Sequence, residues 1–338
     1  MKAVAYRKAL PIDDPQSLVD VELPRPEATG RDLLVKVEAI SVNPVDTKVR
    51  QRVDPNGADN VLGWDVAGTV TAVGPEVRRF KVGDAVWYAG DRNRAGANSE
   101  FHLVDERLVG RKPATLEMTE AAALPLTTIT AWELMFDRMG IPHGTQGKPA
   151  TLLVVGAAGG VGSMAVQLAR RLTGLTVIGT ASREETREWV KAMGAHHVVN
   201  HSRPLDAEVL AVAPDGVDYV LSLTKTEQHF AAFPKLMKPQ GAIGLIDDPA
   251  EPIDVRLLKV KSIALHWESM FTRSAFHTDD MGEQGHILDE VANLVDAGVI
   301  RTTLRKNLGK IDAANLRHAH QLLESGTTIG KVVLEGFL

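Results

Sequence analysis

The run Val154-Val155-Gly156-Ala157-Ala158-Gly159-Gly160-Val161-Gly162 constrains this chain more than any other. It stands between residues 150–155, a wholly apolar stretch of buried-strand type, and residues 162–172, a stretch of good helix formers. Glycines alone carry little information, but glycines between a buried strand and a helix start do. The spacing is Ala157-x-Gly159-x-x-Gly162, so alanine holds the first place of a G-x-G-x-x-G pattern. Gly159 lets the backbone approach a pyrophosphate, and Gly162 lets helix and strand pack closely. The helix start offers free N–H groups and a partial positive charge. Ala158, Gly159, Gly160, Val161 and Gly162 are the expected phosphate contacts.

The strand–helix cycle repeats downstream. Residues 175–179, 197–200, 217–222 and 241–246 read as strands, and 183–193 as a helix ending at Gly194. This alternation predicts an α/β fold with a doubly wound parallel sheet of Rossmann type. Upstream the pattern differs. Residues 33–40 and 69–74 read as strands with glycine-rich punctuation, and Lys81-Val82-Gly83-Asp84 as a turn before another strand. Helical stretches follow at 120–124 and 131–136, then a Gly/Pro-rich linker at 140–149. The tail holds helices near 286–297 and 313–323 and a closing strand at 331–334. The 338 residues exceed the roughly 250–300 at which a single core stops growing. Two domains are expected: a β-rich substrate domain from 1–126 and 269–338, and a dinucleotide-binding domain from 127–268.

Composition narrows the function. A net charge of −5 does not suit a general binder of nucleic acid or anionic membranes. No cysteine is present, so disulfides and thiolate metal sites are excluded. With no apolar leader at residues 1–15 and no run near the ~20 residues of a membrane span, a soluble, cytoplasmic protein acting on a small molecule is expected. The histidines at 196–197 and at 318 and 320 lack ligand spacing, since neighbours on a strand diverge and i, i+2 positions on a helix do not share a face.

Cofactor choice turns on the end of the second strand, Val177-Ile178-Gly179-Thr180-Ala181-Ser182-Arg183. An acidic residue there would accept from the adenosine ribose of NAD, and none occurs before Glu184. Ser182 and Arg183 instead suit a 2′-phosphate, so NADPH is expected. His201, after the third strand, is placed to approach the adenosine phosphate, and Ser222 and Thr224 to line the cofactor.

Val42-Asn43-Pro44-Val45-Asp46, Leu62-Gly63-Trp64-Asp65-Val66-Ala67-Gly68, Val82-Gly83-Asp84, Ala121–Leu126, the 157–162 motif and Gly330-Lys331 together resemble the medium-chain dehydrogenase/reductase superfamily over nearly the full length. Within it, the chain is similar to the quinone-oxidoreductase branch and to bacterial proteins called zinc-type alcohol dehydrogenase-like. The resemblance implies that the β-rich domain is GroES-like. It also implies where a catalytic zinc would be held. A Cys belongs at Asn43, a His at Trp64 and a second Cys near Leu126, while the proton-relaying hydroxyl belongs at Val45. An amide, an indole and an isobutyl group do not make a three-ligand zinc site.

Without zinc there is no Lewis acid for an alkoxide. The expected reaction is therefore hydride transfer from NADPH to a quinone or an α,β-unsaturated carbonyl, whose conjugation spreads the developing charge. In this reading Asn43 and Trp64 face the nicotinamide, Asn43 as an amide donor and Trp64 as a flat wall with one N–H. Asp46 holds the loop and Asp65 pairs with a cation. Thr127 and Thr130 are candidate nicotinamide contacts, and Lys48 and Tyr88 secondary proton donors. Lys331 either reaches the cofactor phosphates or faces solvent. The resemblance further implies a homodimer through the strand at 262–267. Two alternatives stay open: a non-catalytic NADPH-binding redox sensor, and a zinc enzyme with atypical ligands.

Overall fold

The computed structural model describes residues 1–144 and 149–337, so residues 145–148 of the expected linker lie outside the described residues. The chain divides into two compact units, residues 1–129 with 271–338, and residues 130–270. The sequence places the divisions at 126/127 and 268/269.

In chain order, the first unit contains β1 (Lys2–Tyr6), β2 (Val19–Glu22), β3 (Asp32–Val42), α1 (Pro44–Arg52), β4 (Asn60–Val61), β5 (Val66–Val73), β6 (Ala85–Tyr88), β7 (Phe101–Asp105), β8 (Val109–Arg111) and α2 (Met118–Ala122). Within α3 (Pro125–Trp132) the chain passes into the second unit. That unit continues with a π-helical turn, Glu133–Arg138, then β9 (Thr151–Val155), α4 (Gly160–Leu172), β10 (Thr176–Thr180), α5 (Glu184–Met193), β11 (His197–Val199), α6 (Leu205–Val212), β12 (Val217–Ser222), α7 (Thr226–His229), α8 (Phe233–Leu236), β13 (Met237–Leu245) and β14 (Ala264–Trp267). The first unit resumes with α9 (Thr272–Ala275), α10 (Glu283–Asp296), β15 (Leu304–Asn307), α11 (Ala313–Glu324) and β16 (Lys331–Glu335).

In the second unit six parallel strands run in the order β11-β10-β9-β12-β13-β14. Strand order reverses between β9 and β12, the place where doubly wound sheets bind nucleotides. β9 is apolar throughout because helices cover both faces of a parallel sheet, and Leu152 to Val155 are all buried. Leu153, Ile178, Val220, Ile243 and Phe233 form the centre of this core. α4 buries Gly162 through Ala169 and turns Arg170 and Arg171 outward. α5 ends where expected, because Gly194 takes the left-handed conformation with φ +117° that closes a helix.

In the first unit, β15-β16-β3-β5-β6-β8 form one sheet, with β7 also pairing β3, and β2-β1-β4 form a second. β16 pairs antiparallel with β3, with Val332 opposite Val42. This pairing places the C-terminal strand beside the end of β3, where Asn43 begins. α1 is tied to α11 by Arg50, a fully buried guanidinium that donates to the Glu324 carboxylate, the Leu10 carbonyl and His320 Nδ1 at 3.3 Å. His320 is thus a core residue. Burial and Arg50 hold its imidazole down to about 3.

Residues 131–136, expected as an ordinary helix, end in the π-helical turn instead. No sequence pattern announces it, since its residues are good α-helix formers.

A Cβ on Gly162 would collide with the Gly156 carbonyl oxygen and the Ala157 backbone, none of which can yield without opening the strand–helix turn. Gly162→Ala is therefore expected to cost about 1–3 kcal/mol in chemical denaturation, the usual penalty of overpacking.

Candidate active site

The β-rich unit builds a buried polar cluster at the end of β3. Ser41, Asn43, Asp46, Asp65 and Lys331 are each at most 4% exposed. Asp65 is its centre. Its Oδ1 accepts the Leu126 N–H at 2.8 Å, and its Oδ2 accepts from Asn43 Nδ2 at 2.9 Å, Ser41 Oγ at 3.0 Å and Lys331 Nζ at 2.9 Å. Lys331 also donates to the Val42 carbonyl at 3.2 Å and to Asn43 Oδ1. The second hydrogen of the Asn43 amide goes to the Ser41 carbonyl at 3.3 Å. A buried carboxylate this well supplied with donors is stable only as a unit.

Asn43, Asp46 and Asp65 are thus brought together, and the task of Asn43 differs from the expected one. Asn43 has both amide hydrogens engaged within the cluster, which leaves it a frame member rather than a donor to a ligand. The cation that Asp65 was expected to meet is Lys331. The expectation for Lys331 itself is corrected: it is neither in solvent nor open to a phosphate, because its three donors are engaged with Val42, Asn43 and Asp65. Asp46 accepts the Asn43 N–H at 2.7 Å and so closes the first turn of α1. Burial pushes its carboxyl up to about 7, a charged Asp65 adds to this, and the Asn43 N–H and Lys331 oppose it. At neutral pH the group is divided between its neutral and charged forms.

Trp64 is 3% exposed and packs edge-on against Phe271, ring centroids 5.9 Å apart. Its indole Nε1–H has no hydrogen-bond partner among the described residues. The loop that carries it is held from behind. Gly63, at φ +111°, lies against Asn98, and residues 96–98 bond to the backbone of residues 61–63. Tyr88 belongs to this support and not to proton donation. Its hydroxyl is buried against His102 Nδ1 at 3.0 Å, His102 Nε2 meets the Ala95 carbonyl at 2.9 Å, and burial pushes the phenol up. Lys48 lies on α1, half-buried.

The second unit holds the glycine cradle. Gly156 turns at φ +82° as β9 ends, and its N–H is anchored to Thr180 Oγ1 at 3.1 Å. Gly159 precedes α4, whose start no side chain caps. Ala158, Gly160 and Val161 are half-buried there. An uncapped, positively polarised helix start behind a glycine turn fits the pyrophosphate of a dinucleotide. Ser182 and Arg183 are both exposed just past β10. Thr224 is exposed and its methyl lies beside Gly156. Ser222 is turned inward, its hydroxyl shared with Thr226 at 2.8 Å, because Thr226 is in turn tied to Asp247. His201 stands with its ring 6.3 Å from that of His229, and burial and then Lys225 lower its pKa. Thr130 is buried in this unit. Thr127 lies in the first unit, its hydroxyl donating to the Leu124 carbonyl at 3.0 Å.

Residues 29–114 match the alcohol dehydrogenase GroES-like domain, and residues 160–283 match the zinc-binding dehydrogenase family. A Staphylococcus epidermidis zinc-type alcohol dehydrogenase-like protein is 39% identical over 336 residues, 99% of each chain. The chain belongs to the medium-chain dehydrogenase/reductase superfamily. It is also similar to a chloroplastic quinone-oxidoreductase homologue of spinach, 32% identical over 209 residues, 61% of this chain and 63% of that one. The crystal structure of a Rhizobium etli protein named as a zinc-dependent alcohol dehydrogenase superposes with a TM-score of 0.96 at 56% identity, covering 100% and 98% of the two chains. As a member of this superfamily the chain is a nicotinamide-nucleotide-dependent oxidoreductase.

The superfamily's zinc does not fit the donors here. Asn43 has its amide engaged, Trp64 presents an indole, and Leu126 contributes only a backbone N–H already bonded to Asp65. An ammonium 2.9 Å from Asp65 further opposes a divalent cation in contact with that cluster.

Lys331→Met would leave Asp65 buried without its counter-charge. The expected loss is about 3–5 kcal/mol in urea denaturation. Adding Asp65→Asn to that variant is expected to return part of the loss.

Proposed function

We propose that this chain is a zinc-independent, NADPH-dependent reductase of quinones or α,β-unsaturated carbonyls. One observation carries the reading: at the positions where a metal would be gripped, the chain has a closed Asn43–Asp65–Lys331 network and an indole, with no ligand set left over among the described residues. Bound NADPH supplies a hydride. A conjugated acceptor needs only positioning and donors for the oxygen that gains charge. Trp64 supplies an apolar wall and a buried N–H with no internal acceptor. Asn43, Asp65 and Lys331 keep that wall and the start of α1 fixed, and burial raises the Asp46 carboxyl to about 7.

NADPH is preferred over NADH on the chemistry past β10, where Ser182 and Arg183 are exposed and no acid precedes Glu184. Among the described residues β14 ends its sheet with an unpaired edge. Trp267 is 53% and Val260 94% exposed beside it. An edge of this kind fits a second copy across a two-fold axis, and a homodimer is part of the proposal. Among the described residues no helix is long and apolar enough to cross a membrane. The cytoplasm is the proposed site of action.

NADPH consumption is expected with members of a panel of quinones and enones, unchanged by chelators and with no stoichiometric zinc in the purified protein. Tight binding with no turnover of any acceptor would favour the sensor role. Arg183→Ala is expected to raise KM for NADPH by about tenfold or more while leaving that for NADH within about twofold. A tenfold preference of the unaltered protein for NADH would overturn the cofactor choice.

A further inference from the structure

The second unit contains a buried ionisable group that this reaction does not use. Glu268 follows β14 directly, and its side chain is fully buried. Arg138 Nε donates to its Oε2 at 2.8 Å, and Arg138 Nη2 lies 3.6 Å from Glu133 Oε2. Two fully buried carboxyls thus share one guanidinium, whose single charge balances only one of them, and Glu268 Oε1 meets no donor among the described residues. The π-helical turn makes the arrangement possible. Its i→i+5 pattern brings Glu133 and Arg138 toward one side, whereas residues five apart in an α-helix diverge.

The position is specific. The Glu268 N–H bonds the Leu245 carbonyl at 2.9 Å, so the residue sits at the carboxyl ends of β13 and β14. These strands belong to the half of a doubly wound sheet that takes the second mononucleotide, here the nicotinamide half. Glu133 lies three residues beyond Thr130, on the same helical side as that expected nicotinamide contact. Leu134 and Met139 press so closely on Gly244 of β13 that no side chain fits there. The π-helical turn is therefore packed directly against β13.

We propose that the Glu133–Glu268 pair, bridged by Arg138, is a positioning device that fixes the nicotinamide end of the cofactor site and holds one proton to do so. This rests on the nicotinamide-cofactor reading above. The charged groups acting on Glu268 are Glu133 and Arg138 of the π-helical turn. Burial and then Glu133 push Glu268 up to about 8, against Arg138. The fold favours the protonated form, so its contribution is complete below the ordinary glutamate range and is lost as pH rises through about 8. Beyond that point two buried carboxylates face one guanidinium.

The test uses the full chain and two probes, NADPH and 2′,5′-ADP, which carries the adenosine half alone. Binding is followed by fluorescence or calorimetry from about pH 7 to about pH 9.5, with thermal midpoints of the unliganded protein alongside. NADPH affinity is expected to fall above about pH 8, by up to about tenfold per pH unit for one proton, while 2′,5′-ADP affinity stays flat. Glu268→Gln keeps hydrogen bonding without titrating and is expected to flatten the NADPH profile. Glu133→Gln removes the same titration and serves if that variant does not fold. An NADPH profile in the folded variant matching the unaltered protein, or an equal loss for 2′,5′-ADP, overturns the positioning role. Failure to bind NADPH at every pH overturns the cofactor reading and this proposal with it.

Discussion

The β-rich unit is organised around a single charge held out of water. Asp65 is fully buried and accepts from a backbone N–H, an amide, a hydroxyl and an ammonium. Removing a carboxylate from solvent costs several kcal/mol, and only a full set of donors offsets it. That requirement fixes the start of α1 through Asn43, the chain entering α3 through Leu126, and the last strand through Lys331. Three segments far apart in sequence are thereby joined at one point, and Trp64, next to Asp65 in the chain, takes its place from this junction.

In the doubly wound unit the governing constraint is steric. The turn from β9 into α4 leaves no room for a Cβ at Gly162, and Gly156 adopts a conformation that only glycine takes readily. The result is an uncapped helix start facing outward past the end of β9. The two units solve different problems with different physics, charge compensation in one and close backbone approach in the other.

The glycine turn and the alternating elements were legible because both are local. Val154 to Gly162 specify strand, turn and helix within nine consecutive residues, and the strands and helices after it were readable from apolar runs and the Gly194 stop. The absence of ligand-type side chains at 43, 64 and 126 was also a matter of residue identity. What those residues do instead was not legible. The Asn43 amide is engaged because β16 pairs with β3 and delivers Lys331, 288 residues away. Ser222 faces inward because Thr226 and Asp247 claim its hydroxyl. Tyr88 reads as a secondary proton donor until the strands fold it against His102. The π-helical turn escaped for a related reason: its residues favour an ordinary helix, and the pairing of Arg138 with Glu268 lies across 130 residues of chain.

The sequence by itself therefore determined the fold class, the dinucleotide turn, and the chemical poverty of the metal positions, since each depends on residue type and short spacing. Tertiary structure decided which polar groups are engaged and which remain available. Hydrogen-bond saturation and desolvation are properties of what surrounds a group after folding, and the same amide, ammonium or carboxyl can be reactive or inert according to the neighbours that distant strands bring to it.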